Sequence, residues 1–136
     1  MDELATITEN LTALIARSDL DLDALSDEEL IRAQETLGRA RRAADVAMLL
    51  LVRETVRRSS PDFGHAGMAA RLGFGSVEAL LRAKAGLTAE QAAKYIAVGS
   101  ALHTHAGAAV LAGTISVDAA YAIQQALPTS KGVAGV

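Results

Sequence analysis

The stretch from Ser26 to Arg58, SDEELIRAQETLGRARRAADVAMLLLVRETVRR, constrains this chain more than any other part of it. Ser26 is followed three residues later by Glu29, the spacing of a capping box, in which each side chain satisfies the backbone N–H of the other residue. Asp27, Glu28 and Glu29 stand where a helix dipole favours negative charge, and Arg57 and Arg58 where it favours positive charge. No Pro interrupts the run, and its single glycine, Gly38, costs a helix about 1 kcal/mol. Leu30, Leu37, Ala44 and Leu51 recur every seven residues with Ala33, Ala40 and Ala47 between them, which gives a narrow seam open to close approach by another helix. The centre, Val46 to Val52, is apolar all round and is expected to be buried on several sides, by the chain's other helices or by a second copy. One long helix over 26–58 follows, with Leu30, Leu37, Ala44 and Leu51 as the residues of a homodimer seam.

The remaining segments read as shorter helices. Residues 4–17 form the first, with Thr6 and Glu9 in capping-box spacing and Leu4, Ile7, Leu11, Leu14 and Ile15 on one face. Ser18 to Leu25 is an acidic connection whose leucines (Leu20, Leu22, Leu25) are expected to tuck against the long helix. Ser59-Ser60-Pro61-Asp62 ends that helix, since Pro biases Ser60 to extended backbone. A short helical piece over His65 to Leu72 lies between Gly64 and Gly73. Helices over Ser76 to Ala85, Thr88 to about Leu102, and Ser116 to Leu127 follow, with a short one near His105 to Ala112. The tail, Thr129 to Val136, is expected to fray. The fold class is all-α: a single-domain helical bundle over 1–136, organised on the long helix, with a short-helix bundle at 63–127. The stretch Gly86 to Ala92 resembles Gly113 to Ala120, either because two helix starts obey the same capping physics or because a helical hairpin is duplicated.

Composition narrows the class. Apolar residues make up 51% of the chain and aromatics only 3%, which suits tight helix packing and argues against a β-sandwich. The absence of Cys excludes disulfides and thiolate metal sites and makes a cytoplasmic protein the default. The acidic start, MDELATITEN, lacks a basic leader region, and Val46 to Val52 is too short to span a bilayer, so no membrane association is expected. Residues 1–36 carry net charge −8 and the remainder +5, within a total of −3. An acidic head and a mildly basic body could bind each other, or the body could face an anionic partner.

Several residues along the chain carry a family resemblance: Leu25-Ser26-Asp27-Glu28-Glu29-Leu30, the Arg-rich long helix, Leu81 through Gly86-Leu87-Thr88 with Glu90-Gln91-Ala92, and Leu111 to Ser116. In this ordered series, over roughly 22–127, the chain resembles the helical DUF222, or 13E12-repeat, domain of actinobacteria, whose members often carry an HNH endonuclease module further toward the C-terminus. The resemblance implies a nucleic-acid-binding or targeting domain that positions a nuclease module and does no chemistry itself. The chain departs from the family pattern after Thr88, where Gln91, Ala92, Ala93 and a single Lys94 replace several Arg, and it ends without an HNH module.

The candidate contacts fall in two sets. Arg39, Arg41, Arg42, Arg53, Arg57 and Arg58 on the long helix could neutralise phosphates, or form a solvated face with ion pairs to the acidic N-terminal segment. Ser76 to Val98 can be read as a helix-turn-helix with Gly86 in the turn and Ala92 and Tyr95 inward. Its recognition residues would include Gln91 and Lys94, helped by Arg82 and Lys84, with Gln91 suited to adenine and Lys94 to guanine or phosphate. The alternative is two packed helices with a glycine cap. His65, His103 and His105 have no metal-site spacing, no nucleophile–base pair is present, and no cofactor or catalytic role is expected. The alternative function is a helical self-association or protein-interaction module without nucleic-acid binding.

Overall fold

The structure, a computed structural model, describes residues 2–16 and 22–127. Met1, Arg17 to Asp21 and the tail beyond Leu127, including its expected fraying, lie outside the described residues. Every regular element among the described residues is helical, so the chain is all-α. By backbone contacts it divides into two compact units, Met1–Leu37 and Gly38–Val136.

The first unit contains α1 (Asp2–Ala16), a single turn of 3-10 helix at Leu22–Ala24, and the start of α2 (Asp27–Arg58). The capping box opening α2 forms in both directions: the Glu29 N–H donates to Ser26 Oγ at 3.1 Å, and the Ser26 N–H donates to Glu29 Oε1 at 3.1 Å. The Ser26 backbone N–H first, and the Ser26 hydroxyl next, hold the Glu29 carboxyl below the usual range. The Thr6–Glu9 spacing does not cap α1. The helix already begins at Asp2, and the Thr6 hydroxyl bonds back to the Asp2 carbonyl at 3.0 Å, as hydroxyl residues do inside helices. No described residue of this unit is buried. Leu22 stands out in solvent where tucking was expected, and only Leu25 is half-buried.

The second unit holds the packed core. Ser60 takes the extended geometry that Pro61 demands, and a 3-10 stretch, Pro61–Ala66, leads to α3 (Met68–Arg71). The single helical piece expected over His65 to Leu72 is therefore split. Gly67 is extended at the junction, with its Cα packed where an added Cβ would sit 3.2 Å from the Gly64 carbonyl. Then come α4 (Val77–Ala85), α5 (Ala89–Gly99), α6 (His105–Leu111) and α7 (Val117–Ala126). Ser76, Thr88, Thr104 and Ser116 are their N-caps, each accepting a backbone N–H from three residues on. Gly86 closes α4 in the left-handed region at φ 68°, as the sequence predicts. The second of these helices ends at Gly99, short of the expected Leu102, and a turn leads on to α6.

Two clusters form the core. Leu49 packs with Val98, Leu102, Val110, Val117 and Ala120, whereas Val52 packs with Ala69, Leu80, Leu81 and Ala92. Tyr95 is packed against both. Gly99 lets α5 lie on the α2 backbone, since a Cβ there would sit 3.4 Å from the Leu49 carbonyl. The centre of α2 is buried on one face only. Leu49 and Val52 are enclosed, whereas Leu50 and Leu51 are 38% and 47% exposed.

Two glycines separate tight packing from open backbone. A Cβ at Gly107 would lie 2.5 Å from the Ala101 carbonyl oxygen and the Leu102 Cα, whereas one at Gly75 meets nothing. Gly107→Ala should lower unfolding free energy by about 3 kcal/mol in urea titration, because backbone cannot give way. Gly75→Ala should leave stability unchanged or raise it by about 0.5 kcal/mol.

Candidate nucleic-acid interface

On α2 the residues Gly38, Arg41, Arg42 and Asp45 follow the i, i+3, i+4, i+7 row of one helix face. On α5, Gln91, Lys94 and Tyr95 do the same over one turn. The two rows meet the first turn of α7 around a cavity of about 460 Å³ within the second unit. Four of the residues that the sequence singles out, Arg41, Arg42, Gln91 and Lys94, thus come to one place from two separate helices.

The wall is a set of charged groups, most of them already engaged. The Tyr95 hydroxyl donates to Asp45 Oδ1 at 2.7 Å. Burial, followed by that bond to a carboxylate, pushes the phenol above its ordinary range, so it stays protonated and serves as a fixed donor. Lys94 Nζ lies 3.3 Å from Asp118 Oδ1 and 3.3 Å from Glu90 Oε1, and these carboxylates, Asp118 first, raise its pKa. The same ammonium sits 5.9 Å from the centre of the Tyr121 ring. Gln91 closes a second capping box: its Oε1 accepts the Thr88 N–H at 2.9 Å. That occupies the amide oxygen and leaves the NH₂ as its remaining donor, which weakens the expected two-point reading of adenine.

Arg41 and Arg42 differ from their neighbours. Both are exposed, and neither makes an ion pair or hydrogen bond with any described residue. Arg42 lies back along its own helix, with Nη1 4.0 Å from the place a Cβ on Gly38 would occupy.

The other candidate residues are spread elsewhere. Arg39 shares with Arg42 a second cavity of about 450 Å³ beside Leu111 and Gly113. Arg53 is exposed near Gly99. Arg57 and Arg58 both bind Glu54, Arg58 Nε at 2.8 Å, and these guanidiniums, Arg57 first, hold its carboxyl at about 2. Arg82 and Lys84 lie in the last turn of α4 and do not line the cavity. The helix-turn-helix pair exists as two contacting helices with a left-handed glycine between them. Yet α5 also packs on α7, with Ala92 and Val98 buried, so its exposed residues are concentrated in its first turn. His105 begins α6 behind its Thr104 cap, and no group of three His, Asp or Glu able to hold a metal occurs among the described residues. No helix among them is long and apolar enough to cross a membrane. The Tyr95–Asp45 and Lys94–Asp118 pairs have no sequence signal, since the partners are 50 and 24 residues apart.

In comparison with known proteins, no family model, curated protein or solved structure matches this chain.

Tyr95→Phe removes the donor and leaves a sheltered carboxylate unpaired, so it should cost about 1–2 kcal/mol in urea titration, with Asp45→Asn costing less. Glu54 has a depressed pKa, so its pairing stabilises above the ordinary carboxylate range and fades as pH falls toward 2. Glu54→Gln should lower the melting temperature near pH 7, and the difference from wild type should vanish near pH 2.

Proposed function

We propose that the chain is a non-catalytic nucleic-acid-binding or targeting module that serves an HNH-type nuclease, in keeping with the DUF222-like order of its sequence features. The observation that supports this most is the pair of free guanidiniums, Arg41 and Arg42, beside one cavity with Gln91. A guanidinium with no internal partner is available to a phosphate, and its planar fork matches phosphate oxygens in two-point bonds. Lys94 is a poorer phosphate ligand than the sequence implies, because two carboxylates already surround it. In this reading the α2 arginines give affinity, while Gln91 and the first turn of α5 add limited selectivity.

A second reading is a self-associating helical module. It is favoured by the uncovered side of α2, where Leu30, Leu37 and Leu51 are 41%, 60% and 47% exposed and Ala44 is open as well. Seven-residue spacing of these side chains suits a second helix, and the alanines permit close approach.

Salt separates the two. Duplex binding should weaken steeply as salt rises, and Arg41→Gln with Arg42→Gln should flatten the slope of log K against log salt by about 2. Fluorescence anisotropy with a random-sequence duplex reads this directly, and no binding at low salt would sink the first reading. Self-association should persist in high salt, and Leu51→Glu should abolish it in sedimentation equilibrium without changing duplex affinity per chain.

A further inference from the structure

We infer that α2 pairs with the α2 of a second copy of this chain in antiparallel orientation, with leucines of each seam seated against alanines of the other. This rests on the self-association reading for the identity of the partner and adds how the two copies lie.

The order of large and small side chains favours this orientation. Heptad positions a and d are the two rows of a helix that face a partner. With Leu30 at a, that row continues as Leu37, Ala44 and Leu51, and the d row is Ala33, Ala40 and Ala47. Leu30, Leu37 and Leu51 are 41%, 60% and 47% exposed, Ala33, Ala40 and Ala44 are exposed, and Ala47 is half-buried. Leu49 stands at f, the position furthest from this seam, in accord with its burial in the core of its own chain. In a parallel pair a faces a and d faces d, so leucine–leucine layers alternate with alanine–alanine layers. Helices spaced for the leucines leave voids at the alanines, and helices spaced for the alanines drive the leucines together. In an antiparallel pair a faces d. The register that overlaps α2 over its whole length then sets Leu37 against Ala47, Leu51 against Ala33 and Ala44 against Ala40, and puts Leu30 beside the stem of Glu54 at each end. One short interaxial distance suits all three apolar layers.

Charge favours the same orientation and does not depend on side-chain size. Over 27–37 the helix has four carboxylates against Arg32, net −3, and over 38–58 it has six arginines against Asp45 and Glu54, net +4. A parallel pair sets each of these stretches beside its like. An antiparallel pair sets Asp27, Glu28 and Glu29 of one copy beside Arg57 and Arg58 of the other, at both ends. Those two arginines share the single carboxylate of Glu54, so positive charge remains for the partner's acids. At the centre the two Arg41 side chains flank each other, and their long stems let the charges turn outward to water. Exposed ion pairs contribute little affinity each, so the apolar layers hold the copies together and charge selects their direction.

The chain has no Cys, so one introduced thiol carries one spin label per copy of the full-length protein. Glu28→Cys places the label at f, away from the seam. Position 28 lies about 14 residues from the centre of the overlap, so dipolar spectroscopy should read a separation of about 40 Å or more. A parallel pair brings the labels level, within about 25 Å. Sedimentation equilibrium tests the layers by sign. Ala33→Leu should weaken the dimer about tenfold or more by setting leucine against Leu51, and adding Leu51→Ala should restore it. In a parallel pair the same Ala33→Leu fills a narrow layer and strengthens the dimer. Labels close together, or a dimer strengthened by Ala33→Leu, overturn the inference and leave self-association standing. A dimer that survives Leu51→Glu uses another surface and overturns it as well. A wild-type chain that stays monomeric at every concentration overturns the inference and the self-association reading together.

Discussion

The packing of Leu49 and Val52 on one face of α2 is the constraint from which the second unit follows. The two residues are three apart and so point to the same side, yet each is enclosed by a different set of helices. Leu49 joins α5, α6 and α7 to the helix, and Val52 joins α3, α4 and α5. The fifth helix takes part in both, which is why Tyr95 touches both clusters and why Gly99 lies against the α2 backbone. Following the same face toward the N-terminus, the row Val56, Val52, Leu49 continues as Asp45, Arg42 and Gly38. The face that is core at one end is therefore polar at the other. The cavity forms where α2 still has neighbours but no longer offers them apolar side chains.

That position sets the chemistry of each polar group. Asp45 is half-buried, and the Tyr95 hydroxyl supplies the donor that compensates its lost hydration. Lys94, also half-buried, takes two carboxylates. Arg41 and Arg42 are exposed enough to be solvated, so nothing in folding obliges them to find partners. Folding physics accounts for the paired groups and asks nothing of the two exposed arginines. The contrast with the far end of the helix is useful. There Arg57 and Arg58 share Glu54 in the pattern expected of a helix C-terminus, so each already has a carboxylate partner.

Local rules made the elements legible. Ser26 with Glu29 and Thr88 with Gln91 are real capping boxes, and Ser76 and Ser116 cap the helices they precede. The Thr6–Glu9 spacing misleads because the same hydroxyl can bond backward inside a helix, and the spacing alone does not tell the two apart. The apolar run Val46 to Val52 misleads for another reason: sequence counts apolar sides but cannot count neighbours, and Leu50 and Leu51 stay 38% and 47% exposed. The site was half legible. Arg41, Arg42, Gln91 and Lys94 stand out by residue type, but the sequence sorts them into a backbone-contacting helix and a recognition helix. Only tertiary packing makes them one wall, and the carboxylates that occupy Lys94 and hold Tyr95 come from distant positions.

The two functional readings use different sides of α2. Helical period puts Ala40, Ala44, Ala47 and Leu51 opposite Leu49, whereas Gly38, Arg42 and Asp45 share the side of Leu49. A partner helix on the first side would leave the cavity uncovered, so self-association and phosphate binding do not compete for surface. Heptad seams also tolerate small residues well, which explains alanines on the outer side by approach distance alone. The same argument fails for Gly38. It lies on the inner side, away from the seam, where alanine would fit the packing and improve the helix. A seam accounts for the alanines, a core accounts for the leucine and valines, and neither accounts for Gly38.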